Sequence, residues 1–465
     1  MTTLKKVLKL RTVISTSAGM ALATSCYLAG LQVATILVGE LAWISILVAG
    51  LFCMLSAMCF SELTSLYPTA AGIKLFIQNA YNEKAAIAIG MFYVILGISM
   101  VGAESYLLSS VLTGSFTLFG AQADRLFWMI IFILFVGYIN YRGIFITGLF
   151  QDILTYTMIS FLIIVSLYTF TILDVKFVEA VTRPDFTIGN VLTAAGVGVF
   201  LYVGFEWVTP LAEETTDYRM IGRGMMIAIG ILSITYSLFV VAMWTGLTEG
   251  QLKAGTPIPH ILFAENVFGP VGVAVFVIMS ILASVTSFNA GLLNTSRFAY
   301  AMARDNVLPR VFSKLHPDHA TPWVAIQGLE GFAIGPSLLI LFTGQYLFII
   351  VMAAALECII YVVMALCVLR LRKRQPDKER AFRVPFGKVI PVITIIVFGG
   401  LCIGLYADVS RDYAGNVLFH NYWVALVMAA FGVLTLLYTL TVVPVFKRKA
   451  AARASQRKRR RPGRE

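Results

Sequence analysis

Residues 194–207 read Ala194-Ala-Gly-Val-Gly-Val-Phe-Leu-Tyr-Val-Gly-Phe-Glu-Trp207, an apolar stretch that holds three glycines and one carboxylate. A second run of small and hydroxyl-bearing residues, Ser15-Thr-Ser-Ala-Gly-Met-Ala-Leu-Ala-Thr-Ser25, lies in the first long apolar segment of the chain. In lipid, non-helical backbone is tolerated only where it is buried in protein or lines a cavity. If the chain spans a membrane, these two stretches are therefore where an interrupted helix and a binding site are expected. Close packing of helices through small residues is the alternative interpretation of each stretch taken alone.

The composition of the 465-residue chain indicates a membrane protein. Hydrophobic residues make up 59% of the sequence and charged residues 13%, whereas soluble domains average about 45–50% and about 25%. A water-soluble core cannot take up so much apolar surface, so the solvent must be lipid. The net charge of +12 comes mostly from clusters at residues 5–11, 370–388 and 447–464, each beside an apolar run. Such clusters set orientation and contact anionic lipid headgroups, and without interleaved aromatic residues they predict no nucleic-acid partner.

Twelve segments are long enough to cross the hydrocarbon core, which takes about 20 residues per helix. They lie near residues 12–37, 41–66, 85–118, 126–141, 149–173, 191–212, 223–247, 271–300, 323–343, 345–370, 388–408 and 421–446. An even number of spans puts both termini on the same side of the membrane. With that side in the cytoplasm, only five of the 36 Lys and Arg residues lie in exterior loops, as the positive-inside rule requires. We predict a multi-pass protein of the cytoplasmic (inner or plasma) membrane with cytoplasmic N- and C-termini.

The two small-residue stretches lie in the first and sixth spans, which are corresponding positions if spans 1–5 and 6–10 form two inverted repeats. Interrupted helices in matching positions of two repeats indicate the binding site of a secondary transporter. The predicted organisation is a cytoplasmic N-terminus (1–11), a first repeat (12–173), a second repeat (191–370), two peripheral helices (388–446) and a basic cytoplasmic tail (447–465).

Four further stretches resemble the amino acid–polyamine–organocation superfamily over nearly the whole chain. They are residues 60–72 (Phe60-Ser-Glu-Leu-Thr-Ser-Leu-Tyr-Pro-Thr-Ala-Ala-Gly72), Asn140 and Gly143 with Gln151, residues 200–206 with 211–214, and residues 296–309 with Thr321-Pro322. The resemblance implies an all-α, LeuT-like fold of ten core helices in two inverted repeats plus two peripheral helices. It also implies that helices 1 and 6 are broken and that access alternates around a substrate held between them.

The resemblance also implies a substrate site. By position, Ala23-Thr24-Ser25 matches the family's break in helix 1, whose backbone amides hold the substrate carboxylate. A half-helix N-terminus suits this role because it offers unpaired N–H groups and a positive dipole end to an anion. In the sixth span the carbonyls freed near Gly198 to Tyr202 are expected to face the substrate ammonium. Phe200 matches an aromatic lid that closes over the substrate.

Ionisable residues inside the spans are costly in lipid and are functional candidates by default. Glu206 matches a carboxylate used in related proton-coupled exchangers, which predicts a proton-coupling site. Glu104, in the third span, can bind a cationic substrate group, couple a proton or cap a polar network, and Glu357 carries the same ambiguity. Glu62 and Arg297 match family positions near the cytoplasmic ends and are predicted to act in a gate together with Phe200. Asp152 and Glu330 are interpreted as structural.

The function that these observations predict is secondary active transport of an amino acid, by proton coupling or exchange. Sodium is the alternative coupling ion, with hydroxyls from Ser284, Thr286 and Ser287. A polyamine or other organic amine is the alternative substrate, favoured by the buried acids and by the absence of glycine from residues 23–25. A non-transporting membrane sensor or assembly subunit is the alternative from another class. Without a nucleotide-binding motif or metal-ligand spacing of histidines, the sequence predicts no enzyme, no metal and no cofactor, and it indicates no particular partner subunit.

Overall fold

A computed structural model of the chain is a bundle of long helices. It describes residues 4, 6–23, 26–27, 29–30, 33, 41–175, 194–248, 250–251, 258–407, 409–411 and 417–459. The α-helices are α1 (Leu10–Ala21), α2 (Ala42–Leu66), α3 (Gly72–Ala80), α4 (Glu83–Ser115), α5 (Ala121–Tyr141), α6 (Ile144–Ile172), α7 (Arg219–Gly246), α8 (Pro259–Arg304), α9 (Trp323–Thr343), α10 (Tyr346–Arg374), α11 (Val389–Ala407) and α12 (Tyr422–Arg459).

Within the described residues, eleven helical segments are long and apolar enough to cross a membrane, so the chain is a multi-pass membrane protein. Each of them overlaps one of the predicted spans from the second to the twelfth. The predicted first span, 12–37, is helical as α1 only to Ala21, and most of residues 24–40 lie outside the described residues.

Two spans are not single regular α-helices, because of glycine and proline. The eighth was predicted to begin at residue 271, whereas α8 begins at Pro259 and kinks at Gly269, where φ is +65°, directly before Pro270. The sixth, residues 194–213, is α-helical only at its start and continues as two short 3-10 helices, Val199–Tyr202 and Phe205–Glu213.

The sixth segment lies at the centre of the bundle. In its most apolar membrane-spanning part, 94% of the residues are buried inside the protein, whereas the corresponding shares for α11 and α12 are 28% and 22%. Apolar side chains such as Ile403 and Val433 are exposed on these outer helices, as expected for helices that contact lipid. The core therefore surrounds the sixth segment, with α11 and α12 at the periphery.

Two features at the end of the chain were not predicted. A short antiparallel hairpin, β1 (Val409–Arg411) and β2 (Val417–His420), connects α11 to α12, with Val409 paired to His420. Helix α12 continues to Arg459, so the first part of the predicted basic tail (447–465) is helical, and residues 460–465 lie outside the described residues.

Candidate functional site

The sixth segment bends at a glycine. Gly204, between the two 3-10 helices, has φ +104°, in the left-handed region that favours glycine. A Cβ at this position would also lie 2.1 Å from Cγ of Met20 in α1. Gly204 therefore permits both the bend and the close approach of α1.

Helix α1 ends beside this bend. Its last residue is Ala21, and the carbonyl of Met20 accepts a hydrogen bond of 2.8 Å from the hydroxyl of Ser287 in α8. The hydroxyl of Ser17 donates to the carbonyl of Phe205 in the sixth segment at 2.7 Å. These two side-chain hydrogen bonds join the end of α1 to α8 and to the sixth segment.

Of the predicted carboxylate-binding residues, only Ala23 is described. Thr24 and Ser25 lie outside the described residues. Ala23 is buried, follows the end of α1 by two residues and lines a small cavity. The role of the triplet in substrate binding stays a prediction.

The cavity lies between α1, the sixth segment, α4, α8 and α10. Its volume is about 20 Å³, which is space for about one water molecule. Three predicted substrate residues, Ala23, Glu104 and Phe200, line it, and Oε1 of Glu104 accepts a 2.6 Å hydrogen bond from the hydroxyl of Ser284. An amino acid would fit only after the walls separate. The lining consists of Met20, Ala23, Cys26, Ala103, Glu104, Phe200, Val203, Ser287, Ile349, Ile350 and Ala353.

Gly198 and Tyr202, also predicted to bind substrate, face α2 rather than the cavity. The Tyr202 hydroxyl donates to the carbonyl of Ile46 at 2.8 Å, and a Cβ at Gly198 would lie 3.2 Å from that of Ala49. Tyr202 therefore packs its side chain against a neighbouring helix. A contribution of this turn to binding through its backbone carbonyls stays a prediction.

Two glutamates meet behind the bend, outside the cavity lining. Oε1 of Glu206 accepts a hydrogen bond from the Tyr93 hydroxyl at 3.3 Å, and Oε2 accepts one from the Tyr361 hydroxyl at 3.1 Å. Oε1 of Glu357 accepts a hydrogen bond from the indole N–H of Trp207 at 3.1 Å. The two carboxyl groups interact with each other, and both side chains are fully buried. The structure therefore places the predicted coupling residue beside a second acid.

The indole of Trp207 fills a space left by Gly97 in α4. A Cβ at Gly97 would lie 1.7 Å from Cη2 of the indole. Gly97→Ala is therefore expected to displace the indole and to lower the free energy of unfolding by about 1–3 kcal/mol. The measurement is unfolding of the purified protein by heat or by SDS titration.

Gly90→Ala is the matched control for this prediction. Gly90 lies about two turns earlier in α4, and a Cβ there would be 3.4 Å from Cε of Met302, the flexible end of a side chain. This variant is expected to be neutral or slightly stabilising, because alanine favours a helix over glycine by about 1 kcal/mol. Equal stability of the two variants would contradict the tight packing of Trp207 on α4.

The predicted gate residues Glu62 and Arg297 form separate ion pairs and do not contact each other as a pair. Nε of Arg297 lies 3.0 Å from Oε2 of Glu214, and these side chains are 0% and 1% exposed. Glu62 binds Arg372 at 2.5 Å and Arg380 at 3.2 Å, which ties α2 to the end of α10 and the loop that follows it.

The segment before α1 closes the same end of the bundle. The backbone N–H groups of Val7 and Leu8 donate to the carbonyl of Glu214 at 2.9 and 3.0 Å, and the N–H of Thr216 donates to the carbonyl of Leu8 at 3.0 Å. The end of the bundle at which α1 begins is thus sealed by backbone hydrogen bonds as well as by ion pairs.

The remaining predicted acids have distinct surroundings. Asp152 accepts hydrogen bonds from Thr12 at 3.0 Å and Ser15 at 2.5 Å and pairs with Arg11 at 3.0 Å, so it anchors α6 to α1. Glu330, in α9, packs its carboxyl group into a gap left by a glycine of α5.

The three hydroxyls considered for a sodium site have three different partners. Ser284 donates to Glu104, Thr286 donates to a backbone carbonyl of its own helix, and Ser287 donates to the carbonyl of Met20. They do not converge on one point in this conformation.

Sequence reasoning missed Tyr93 and Arg372. Tyr93 and Gly97 are four residues apart, a spacing that puts a hydroxyl and a gap on one face of α4, and this was the available signal. Arg372 lay in a basic cluster that was interpreted only as an orientation signal, because spacing along one helix says nothing about a partner such as Glu62 on another.

The fold is that of a multi-pass membrane protein in which the end of α1 and the bend of the sixth segment lie beside a central cavity. The model of the amino acid permease family matches residues 8–448, and the chain belongs to this family, within the amino acid–polyamine–organocation superfamily. The predicted family is confirmed, and because the family is one of transporters, so is the prediction that the protein is not an enzyme.

Three bacterial relatives illustrate the range of the likeness, all from Bacillus subtilis (strain 168). The methylthioribose transporter is 25% identical over 83% of this chain and 84% of its own length. The branched-chain amino acid permease is 26% identical over 76% and 78%. The serine/threonine exchanger is 23% identical over 76% and 80%. These are proteins that the chain resembles along most of its length.

Proposed function

We propose that the protein is a secondary active transporter of amino acids that works by alternating access. The observation that carries the proposal is the meeting of the end of α1 at Ala21 with the bend at Gly204, beside a small cavity. Interrupted helices that meet in this way are typical of transporters built from inverted repeats. On this proposal the fold is LeuT-like, with twelve spans, broken helices 1 and 6, repeats over 12–173 and 191–370, and both termini in the cytoplasm.

An amino acid substrate is favoured by the family and by the cavity lining. Ala23, Ala103 and Ala353 leave room beside the backbone, and Ile349 and Ile350 offer apolar contacts to a side chain. Two relatives named above are a branched-chain amino acid permease and a serine/threonine exchanger. In this proposal the closed cavity belongs to a state of the cycle without bound substrate, and Phe200 is the lid that closes over the site.

Coupling to protons through Glu206 is the second part of the proposal. Its carboxyl group is fully buried next to the bend and accepts hydrogen bonds from two tyrosines. Binding or release of a proton here changes the charge beside the hinge of the sixth segment, and a buried charge must be solvated by its neighbours or neutralised. The protonation state is thereby linked to the conformation of the segment that contacts substrate.

The ion pairs Arg297–Glu214 and Glu62–Arg372 are proposed to close the cytoplasmic side. They connect the end of the sixth segment to α8 and the end of α2 to α10. Opening toward the cytoplasm requires elements on this side to separate, so these contacts must break or move together.

An organic amine is the second candidate substrate, and Glu104 is the observation that favours it. It is a carboxylate in a lining that is otherwise mostly apolar, and it is 3% exposed. Such a group would pair with a cationic part of a substrate. Its hydrogen bond from Ser284 holds it at the wall of the cavity.

The test is uptake and counterflow in proteoliposomes with a panel of neutral and cationic amino acids, polyamines and methylthioribose. We expect saturable flux of a neutral amino acid. Glu104→Gln is expected to keep that flux within about threefold, because the uncharged side chain of such a substrate loses at most one hydrogen bond when the carboxylate becomes an amide. Flux of cationic amines alone, lost in Glu104→Gln, would replace the amino acid proposal with the amine. Ligand binding without flux of any compound would indicate the non-transporting sensor instead.

A further inference from the structure

The two carboxyl groups behind the bend differ in their hydrogen bonds. Each oxygen of Glu206 accepts one hydrogen bond from a tyrosine hydroxyl, from Tyr93 and from Tyr361. In Glu357, Oε1 accepts a hydrogen bond from Trp207, whereas Oε2 is buried and receives none from any residue that the structure describes. The neighbour of Glu357 is Glu206, whose carboxylate can only accept.

This asymmetry favours a proton on Glu357 over a proton on Glu206. A buried carboxylate oxygen without a donor is strongly unfavourable, and two ionised carboxylates in contact also repel each other. Both costs are relieved if Oε2 of Glu357 carries a hydrogen, because the pair then holds one negative charge and the hydroxyl can donate to the neighbouring Glu206. In the opposite arrangement the proton lies on Glu206 and Glu357 is the carboxylate. Glu357 would then have two donors, Trp207 and Glu206, whereas a Glu206 carboxylate has three, Tyr93, Tyr361 and Glu357.

We propose that Glu357 is a carboxylic acid that keeps its proton throughout the transport cycle and donates a hydrogen bond from Oε2 to the Glu206 carboxylate. The proposal rests on the proposed function, in which Glu206 exchanges the coupling proton. Glu357 is then a positioning residue: together with Tyr93 and Tyr361 it gives Glu206 three donors, so that one acid of the pair ionises and the other does not.

Among the residues that the structure describes, the other titratable groups around the pair are phenols and thiols. Tyr93 comes from α4, Cys53 from α2, and Tyr361 and Cys358 from α10. These groups are uncharged near neutral pH. They can donate hydrogen bonds to a carboxylate without competing for its charge, and they leave the carboxyl pair to set the local response to pH.

The first test compares the pH dependence of transport in the wild-type protein and two variants. Glu357→Gln keeps a donor, its amide N–H, and is expected to retain the wild-type pH profile. Glu357→Met removes the donor at similar size, so the Glu206 anion is harder to form and the pH midpoint of transport should move upward by about one unit. Loss of pH dependence in Glu357→Gln would mean that Glu357 itself exchanges the proton, and a wild-type midpoint in Glu357→Met would mean that no such hydrogen bond exists.

The second test does not depend on transport and stands even if Glu357→Met does not fold. Infrared spectra of wild-type protein at alkaline pH should contain a carbonyl stretch from a protonated carboxyl group, and Glu357→Gln should lack that band. Absence of the difference would overturn the proposal. If Glu206→Gln instead keeps the wild-type pH profile while the band is present, the coupling role of Glu206 fails and the protonated state of Glu357 stands.

Discussion

Glu206→Gln is expected to bind substrate normally and to lose the pH dependence of transport. In the wild-type protein, transport should rise on acidification, by up to about tenfold per pH unit where one proton is titrated. Glutamine has the size of the protonated acid and still accepts a hydrogen bond from a tyrosine, but it has no proton to release. The measurement is uptake at several pH values together with substrate binding by the purified protein.

Glu104→Gln is the control, because Glu104 is also buried but lies at the cavity wall. It is expected to keep the pH response. If Glu104→Gln removes the response and Glu206→Gln does not, the coupling site belongs to α4. A wild-type pH profile in both variants would exclude proton coupling through either residue and would favour simple exchange or sodium coupling.

Arg297→Met is expected to lower the free energy of unfolding by about 3–5 kcal/mol, because it leaves the Glu214 carboxylate buried without its partner. Arg297 and Glu214 are 0% and 1% exposed, so water cannot replace the lost contact. The double variant Arg297→Met/Glu214→Met removes both charges and is expected to regain most of this stability. SDS titration of the purified wild-type protein and of the two variants measures the three free energies of unfolding.

The pair Arg304–Glu213 supplies a matched control at the same end of α8. Arg304 is 44% exposed and Glu213 22%, at a distance of 2.7 Å. Arg304→Met should cost at most about 1 kcal/mol, since solvent screens exposed pairs. The burial argument is refuted if Arg297→Met is no more destabilising than Arg304→Met, or if the double variant is as unstable as the single one.

Apolar runs located the membrane spans from the second to the twelfth closely, because a helix that crosses lipid must hide its backbone and present apolar side chains over a fixed length. The same reasoning singled out residues 194–207 as a place for irregular backbone, and the structure has the bend at Gly204 there. It did not foresee the ten residues of α8 before the kink at Gly269, since helical periodicity alone does not separate a loop helix from a span.

Partners across helices were less predictable. Glu62 and Arg297 were both predicted from the sequence to act in a gate. In the structure Glu62 pairs with Arg372, and Arg297 pairs with Glu214. Sequence reasoning grouped Tyr202 with Phe200, yet the two side chains point to opposite sides of one 3-10 turn. Residues two positions apart share a face neither on an α-helix nor on a 3-10 helix, so the two were grouped by their place in one motif and not by the direction of their side chains.

The sequence by itself determined that the protein lies in lipid, where most of its helices lie, which family it belongs to and that acids lie inside the spans. Each of these follows from composition, from the length of apolar runs or from a local motif. Only the tertiary structure decided that Glu206 shares its site with Glu357, Tyr93, Tyr361 and Trp207. These residues come from α4, the sixth segment and α10, which are far apart along the chain. Whether a buried carboxyl group is ionised depends on the donors that packing brings to each of its oxygens, and that information is absent from linear spacing.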